Sequence, residues 1–245
     1  MKKLFTNGES STKIAKSNLA DIGQFSNDYL EGFAGIETKI LYLAPARESG
    51  RETCASRSEG CTASCLYTAG RGRFDATKIA RIERTKLFFE NREEFKARIL
   101  KEVGAFVRRC LKLNKIPAVR MNGTSDIPFE KLFPELFEHF PTVKFYDYTK
   151  HVARMSPDYV VPENYHLTFS KSESNLESVK KVLNWGKNVA VVFDGMPSEF
   201  LGFPVFDGDA TDLRFLDPEN HVIGLKAKGD AKKDNSGFVV REVSK

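Results

Sequence analysis

The sequence predicts an α/β fold in which mainly parallel strands form an open sheet or a partial (β/α) barrel. Short apolar runs alternate with helical or polar segments, which is the pattern of parallel strands joined by right-handed crossovers. The chain has 245 residues, of which 41% are hydrophobic, and this suits one large domain or two small ones. No internal repeat is visible, so the pattern does not predict a solenoid.

The strand candidates are short runs that contain β-branched or aromatic residues. They are Thr38–Ala44, Ile116–Met121, Val143–Tyr146, Tyr165–Phe169, Asn188–Phe193, Pro204–Phe206 and His221–Leu225. Between the first two candidates, apolar residues recur at helical spacing from Thr77 to Leu113, with a break near Asn91. Residues 1–35 are rich in Ser, Asn, Gly and Lys, and we expect them to form a leader packed on a single domain of residues 36–245.

The charge balance is mildly basic, with 38 Lys and Arg residues against 33 Asp and Glu residues and a net charge of +5. This charge permits a phosphate-bearing partner, either a small molecule such as a nucleotide or a nucleic acid, without requiring one. No apolar run reaches the roughly 18 residues of a membrane span, and no apolar signal segment follows the first residues. We therefore expect a soluble, cytoplasmic protein without a membrane partner.

Polar segments follow nearly every strand candidate, among them ESGRETC, NGTSD, DYTK, SKSESN, DGDATDLR and KAKG. Because the loops after parallel strands leave the same edge of a sheet, we expect these segments to meet at one site. The alternative is that they are ordinary polar loops. The loops at the opposite strand ends, such as KLNK and HFPT, are plainer, which favours a site.

Three of the four cysteines, Cys54, Cys61 and Cys65, lie in one loop with the spacing C-x6-C-x3-C. Thiolates are ligands of soft metals and iron–sulfur clusters, and three of them leave one coordination position open for chemistry. Two alternatives are three free thiols and a structural zinc site completed by a distant histidine. The candidate histidines are His139, His151, His166 and His221.

Stretches across nearly the whole chain resemble a protein family carried by phages and plasmids. They include CASRSEGCTASCLYTAGRGRF, RMNGTSDIP, NYHLTFSKSESN and FDGDATDLRFLDP. This resemblance implies no activity, and it places a phage-encoded protein in the host cytoplasm. The order of a first strand, a three-cysteine loop, a helix and further strand–helix units also resembles the radical S-adenosylmethionine enzymes and radical-SAM-like phage proteins. This second resemblance implies a TIM-like partial (β/α) barrel.

The resemblance to radical enzymes implies a [4Fe-4S] cluster and S-adenosylmethionine as cofactors. Cys54, Cys61 and Cys65 would each bind one iron, although the usual spacing in those enzymes is C-x3-C-x2-C, and S-adenosylmethionine would bind the fourth iron. Further residues stand where those enzymes contact the methionine and ribose groups of that cofactor. These candidates are Asn122, Gly123, Thr124, Ser125, Asp126, Ser170, Ser172 and Asn175.

Two further clusters contain candidate catalytic side chains. Asp147, Tyr148 and Lys150 bring a carboxylate, a phenol and an amine to one loop, which suits acid–base or hydrogen-atom relay chemistry, or else a turn. Asp207 and Asp209 offer oxygens to a hard cation, as a metal-dependent hydrolase would use them, or else belong to the start of a helix.

Basic residues point to phosphate or nucleic acid. Arg71, Arg73, Lys226 and Lys228 are candidates for a phosphate-binding rim, with a solvated surface as the alternative. The region Lys78–Arg120 has thirteen Lys and Arg residues against five Asp and Glu residues. Three functions therefore follow from the sequence. They are a radical S-adenosylmethionine-type iron–sulfur enzyme, a nucleic-acid-binding module with a structural cysteine metal site for phage or plasmid replication, and a metal-dependent hydrolase.

Overall fold

The computed structural model describes residues 3–8, 32–68 and 70–241. The described strands are β1 (Phe5–Asn7), β2 (Ile36–Leu41), β3 (Ile116–Arg120), β4 (Lys144–Thr149), β5 (Tyr165–Ser170), β6 (Val189–Phe193), β7 (Glu199–Phe200), β8 (Phe203–Asp207), β9 (Val222–Lys226) and β10 (Val239–Val240). The described α-helices are α1 (Glu59–Ala63), α2 (Asp75–Glu90), α3 (Arg92–Lys112), α4 (Phe129–Leu132), α5 (Pro134–His139) and α6 (Leu176–Asn184). Each predicted strand overlaps a described one.

The strands form one mixed sheet in the order β1-β2-β3-β4-β5-β6-β9-β8-β7, and β10 pairs with β6 beside that path. Every pairing between β2 and β8 in this order is parallel, whereas β1 and β7 pair antiparallel with β2 and β8. The α/β class and the mainly parallel strands are therefore confirmed. The TIM-like partial barrel is not confirmed, because the sheet is not closed and antiparallel strands occupy both ends of the order.

One face of the sheet is covered by α2 and α3. Asn91 separates these helices as predicted, since it ends α2 and its side chain accepts a hydrogen bond from the Glu94 amide at 3.1 Å. Buried residues recur every three or four positions along α3, which places them on one side of the helix. They join Val119 of β3 and Phe145 of β4 in a single core. The buried residues of α3 are Phe95, Ile99, Val103, Phe106 and Cys110.

The opposite face, here called the inner face, is covered by the segment between β8 and β9. Because β8 lies beyond β9 in the sheet, the chain has to return, and a right-handed return crosses on the face opposite the helices. The 3-10 turn Arg214–Leu216 lies in this segment, and its Phe215 ring packs edge-on against Tyr146 with 5.5 Å between the centroids. Leu213 completes a small apolar cluster with Ala118 and Tyr146.

The last described strand, β10, enters the sheet at the carboxyl end of β6. Its residues Val239 and Val240 pair with Val192 and Phe193. Because β9 pairs along the whole of β6 and β5 pairs only with its beginning, β10 lies between the carboxyl ends of β5 and β6.

The predicted leader, residues 1–35, lies mostly outside the described residues. Of its described part, Phe5–Asn7 forms β1 and pairs with Lys39–Leu41 of β2. None of the helices in the described ranges is long and apolar enough to cross a lipid bilayer.

Candidate functional site

Loops that follow the parallel strands meet at the carboxyl edge of the sheet, and hydrogen bonds join them. The Asp126 amide, after β3, donates to the Thr53 carbonyl, after β2, at 2.8 Å. The Lys150 amide, after β4, donates to the Asp126 carboxylate at 2.8 Å. The Thr124 hydroxyl donates to the Leu43 carbonyl at 2.5 Å. The polar segments after three successive parallel strands therefore form one connected surface.

The three loop cysteines are partly buried. The Cys54 Sγ atom lies 3.8 Å from the Thr124 carbonyl oxygen, to which the thiol can donate. Burial raises the pKa of Cys54 to about 11. Burial also raises the pKa of Cys65; the Cys61 thiol acts in the same direction, whereas the Lys150 ammonium opposes it. Neither Cys54 nor Cys65 is therefore an activated thiolate on its own at neutral pH.

Cys61 lies on the short helix α1, which the loop after β5 holds in place. Ser58 caps this helix by accepting a hydrogen bond from the Cys61 amide at 3.2 Å. The Glu173 carboxylate accepts hydrogen bonds from the Ser58 hydroxyl at 2.7 Å and the Gly60 amide at 2.8 Å. A Cβ at Gly60 would collide with the Ser236 side chain and lie 2.8 Å from a Glu173 oxygen. The cysteine loop is thus packed against two other loops.

The cysteines do not form a preassembled metal site. Within residues 3–8, 32–68 and 70–241, no three His, Cys, Asp or Glu side chains are grouped so that they could hold a metal ion. His151 shares a hydrogen bond with Ser56 at 2.9 Å, and His166 lies on β5, where burial lowers its pKa to about 4. His139 and His221 precede β4 and β9 and lie toward the opposite edge. The sulfurs have to move together before they can hold iron or zinc.

Asn122, Gly123 and Ser125 shape the loop after β3. Asn122 and Ser125 are buried, and the Asn122 Oδ1 atom accepts hydrogen bonds from the Ser125 hydroxyl at 2.8 Å and the Ile127 amide at 2.9 Å. Gly123 lies against Tyr42, where a Cβ would come within 2.5 Å of a ring carbon. The loop backbone lies close to Tyr42 and folds around the Asn122 amide, which explains why the segment contains a glycine, a serine and an asparagine.

A buried ion-pair network lies beside this loop and was missed by sequence reasoning. The Arg154 Nε and Nη2 atoms each donate to the Glu130 carboxylate at 2.8 Å, and Nη1 donates to Asp126 at 3.2 Å. The partners are 24 and 28 residues from Arg154, so no local pattern marks them. The Asp126 carboxylate, a candidate contact of the S-adenosylmethionine cofactor, thus has an arginine partner in the chain itself.

The structure separates Asp147 from Tyr148 and Lys150. Successive residues of a strand point to opposite faces, so Asp147 faces the helices and Tyr148 the inner face. Asp147 is fully buried and accepts a hydrogen bond from the Tyr165 hydroxyl at 2.8 Å, and burial raises its pKa to about 6. The Lys150 ammonium donates to the Ser170 hydroxyl of β5 at 2.8 Å. Adjacency in sequence therefore does not assemble these three groups into one relay.

Ser170, Ser172 and Asn175 lie at the same edge, at the end of β5 and in the loop after it. Asn175 closes this loop, since its side chain donates to the Ser170 carbonyl at 3.0 Å and accepts from the Ser172 amide at 2.7 Å. Ser172 is buried. Ser170, by contrast, is only partly buried, and its hydroxyl accepts a hydrogen bond from the Lys150 ammonium.

The aspartates after β8 and the lysines after β9 bind one another. The Asp209 carboxylate accepts hydrogen bonds from the Lys226 amide at 2.7 Å and the Lys228 ammonium at 2.8 Å. The Asp207 side chain accepts one from the Asp209 amide at 2.8 Å, as in a turn. These contacts explain the clustered charges as a link between two loops.

Arg71 and Arg73 lie in the 3-10 turn Gly70–Arg73, which follows the cysteine loop. Arg73 approaches Asp230, after β9, at 3.7 Å, with both side chains exposed. Exposed pairs of this kind contribute little to stability. The side chain of Arg71 lies outside the described part of the chain.

The arrangement of loops does not identify a family, but the sequence does. A model of the family described as gene product 88 matches residues 4–242. The chain belongs to the gene product 88 family. This match supports the resemblance to a phage family, whereas the resemblance to radical S-adenosylmethionine enzymes is not supported by it. Comparisons with curated proteins and with solved structures returned no match.

Proposed function

We propose that this member of the gene product 88 family is an iron–sulfur enzyme that acts with S-adenosylmethionine at the carboxyl edge of its sheet. The observation that carries the proposal is the position of the three-cysteine loop. The loop follows the first parallel strand, β2, and hydrogen bonds attach it to the loops after β3 and β5. Parallel sheets bind ligands at this edge, so thiols placed there suit a catalytic cluster better than a remote structural site.

In this proposal Cys54, Cys61 and Cys65 hold three irons of a [4Fe-4S] cluster, which supplies radical chemistry together with S-adenosylmethionine. The chain has to bring the three sulfurs together, because they are not grouped in the described conformation. The raised pKa values of Cys54 and Cys65 mean that binding iron has to release protons. Loading should therefore strengthen as the pH rises.

Anaerobic reconstitution with iron and sulfide tests the proposal. We expect the wild-type chain to gain visible absorbance and about four irons per chain, the content of a cubane cluster. Alanine at any of the three loop cysteines should reduce the iron content severalfold. Cys110→Ala is the matched control, because Cys110 is buried in α3 and away from the loop.

The outcomes separate the alternatives. If zinc binds in place of iron and its removal only destabilises the fold, the cysteines form a structural zinc site and not a catalytic cluster. Equal iron content in the wild-type chain, Cys65→Ala and Cys110→Ala would contradict a role for the loop. Absence of any bound metal in the anaerobically prepared chain would leave three free thiols and end the proposal.

Nucleic-acid binding is the second candidate, and the outer surface of α3 favours it. Lys101, Arg108 and Lys112 are exposed at spacings of seven and four residues, which places them on one side of the helix. Fluorescence anisotropy with a short DNA duplex and a single-stranded RNA, over a range of salt concentrations, tests this function. Replacing all three by glutamine should weaken binding at least tenfold and reduce the salt slope by about 2–3. An unchanged slope would contradict it.

We do not extend the proposal to a metal-dependent hydrolase. Its candidate ligand Asp209 already binds the Lys228 ammonium and the Lys226 amide. Asp207 participates in the turn that leads to Asp209. No observation therefore favours a cation between these aspartates.

A further inference from the structure

A row of polar side chains crosses the inner face of the sheet and ends at the carboxyl edge. Tyr148 of β4 pairs in register with Thr168 of β5, and alternate residues of a strand share a face. Lys150 and Ser170 therefore extend the same row, and Arg120 of β3 reaches it from the other side. These five residues are called the inner-face cluster below.

The Arg120 guanidinium rests on the Tyr148 ring, 4.8 Å from its centroid. The Nε atom of Arg120 is buried and has no hydrogen-bond partner in the described ranges. A guanidinium that stacks on a ring keeps its N–H donors in its own plane, where they can hold a flat or tetrahedral anion. The stacking thus orients Arg120 without using its donors.

Two buried hydroxyls on the same face of the sheet also have unused hydrogen-bonding capacity. Thr168 and Tyr146 are fully buried, and neither hydroxyl has a partner among the residues that the structure describes. Leaving a buried polar group unpaired costs folding free energy, so such groups are expected to have partners. Three buried polar atoms on the inner face, Arg120 Nε and these two hydroxyls, thus lack a hydrogen-bond partner among the described residues.

Lys150 stands at the accessible end of the row. It lies two residues after Tyr148, about 7 Å along the chain direction. Its ammonium donates to the Ser170 hydroxyl at 2.8 Å and lies 5.8 Å from the centroid of the Phe238 ring. Neither contact neutralises the lysine charge.

Several other charged or titratable groups lie around the row. Arg214 and Asp217 face each other at 3.3 Å, and both side chains are fully buried. Asp212 is the acid that interacts with Arg120. His166, also on this face, is neutral at pH 7 because burial lowers its pKa. Asp126 also lies close, since its carboxylate accepts a hydrogen bond from the Lys150 amide and contacts Arg154. The Lys150 ammonium itself forms no ion pair within the described ranges, and its hydrogen-bond partner is the neutral Ser170 hydroxyl.

We propose that the inner-face cluster binds an oxyanion, the carboxylate or phosphate group of a small organic molecule, between Arg120 and Lys150. The guanidinium and ammonium supply the opposite charge, and the Thr168 hydroxyl supplies a neutral donor. Binding does not require iron at the cysteines, so it can fail or succeed separately from the proposed iron–sulfur enzyme.

Isothermal titration calorimetry of the full chain with inorganic phosphate, and in a second arm with succinate, tests the site. We expect one of these anions to bind, and Arg120→Gln and Lys150→Gln each to weaken its binding at least tenfold. Lys181→Gln, at an exposed position of α6, is the matched control and should bind as the wild type does. The preferred arm identifies phosphate or carboxylate. Equal affinity in all four proteins, or no binding of either anion, overturns the proposal.

Thr168→Val provides a second test that does not depend on how Arg120→Gln folds. Valine has nearly the shape of threonine, so loss of an unpartnered hydroxyl should leave the unliganded protein equally or more resistant to urea. Its affinity for the preferred anion should nevertheless fall severalfold. A less stable variant with unchanged affinity would show that the hydroxyl serves only the fold, and would overturn the proposal.

Discussion

At the scale of single residues, two glycines with different surroundings show how tightly the carboxyl edge is packed. A Cβ at Gly123 would lie 2.5 Å from a Tyr42 ring carbon and 2.8 Å from an Ile40 methyl group. At Gly104 of α3 the nearest atom would be 3.5 Å away. Gly123→Ala should therefore lower the free energy of unfolding by about 1–3 kcal/mol. Gly104→Ala, the control, should raise it by about 0.5–1 kcal/mol. Urea denaturation measures both, and equal effects would contradict the tight contact.

Residue identities alone located the candidate site but not the direction of its side chains. The cysteine loop and the segments after β3, β4 and β5 meet at one edge as expected, because that follows from parallel strands. The split between Asp147 and Tyr148 arises because β4 continues to Thr149, beyond the expected strand end at Tyr146, and the Arg154 network depends on residues distant in sequence. Neither could be predicted from local pattern.

At the scale of elements, the docking of α1 onto the loop after β5 depends on one carboxylate. Glu173→Ala removes the acceptor of the Ser58 hydroxyl and the Gly60 amide. Charge-assisted hydrogen bonds contribute about 1.5–3 kcal/mol each, so local opening should increase tenfold or more. Trypsin should then cleave after Arg57 correspondingly faster. Glu177→Ala, at an exposed acid of α6, is the control. Cleavage at the wild-type rate would contradict the docking role.

Elements with a strong local period were predicted well. The amphipathic pattern gave α2 and α3 with their break at Asn91, and seven apolar runs gave β2, β3, β4, β5, β6, β8 and β9. The short strands β1, β7 and β10 were not predicted, because two or three residues carry no period. The partners of β1 and β10 are also distant in sequence. That the segment between β8 and β9 covers the inner face was not predicted, because its path depends on the order of the strands in the sheet.

At the scale of the whole molecule, His166 should make stability depend on pH. Burial, with help from Arg214 and Lys187, lowers its pKa to about 4 in the folded chain, against 6.5 for an unperturbed histidine. Because the pKa of His166 is lower in the folded chain than in the unfolded one, its neutral form contributes fully to stability above pH 6.5. This contribution is lost as the pH falls toward 4. Through His166, the free energy of unfolding of the wild type should fall by about 2–3 kcal/mol between pH 7 and 4. His166→Gln should not show this part of the decrease.

The measurement is urea denaturation of wild type and His166→Gln across that pH range. Asp147, whose pKa burial raises to about 6, titrates in the same window with the opposite sign. Its contribution is common to both proteins and cancels in the difference. A difference that does not change with pH would show that His166 is not held in its neutral form.

The position of β10 has a consequence for how the protein is made. A ribosome delivers the chain from its amino end, and β2 to β9 can pair before residues 234–240 emerge. The gap between β5 and β6 is then filled last, when the Val239 amide meets the Asp234 carboxylate at 2.9 Å and Lys171 binds the Gly237 carbonyl at 2.8 Å. A nascent chain would thus form most of its scaffold before the rim of its candidate site is complete, which delays any ligand capture until residues 234–240 have emerged.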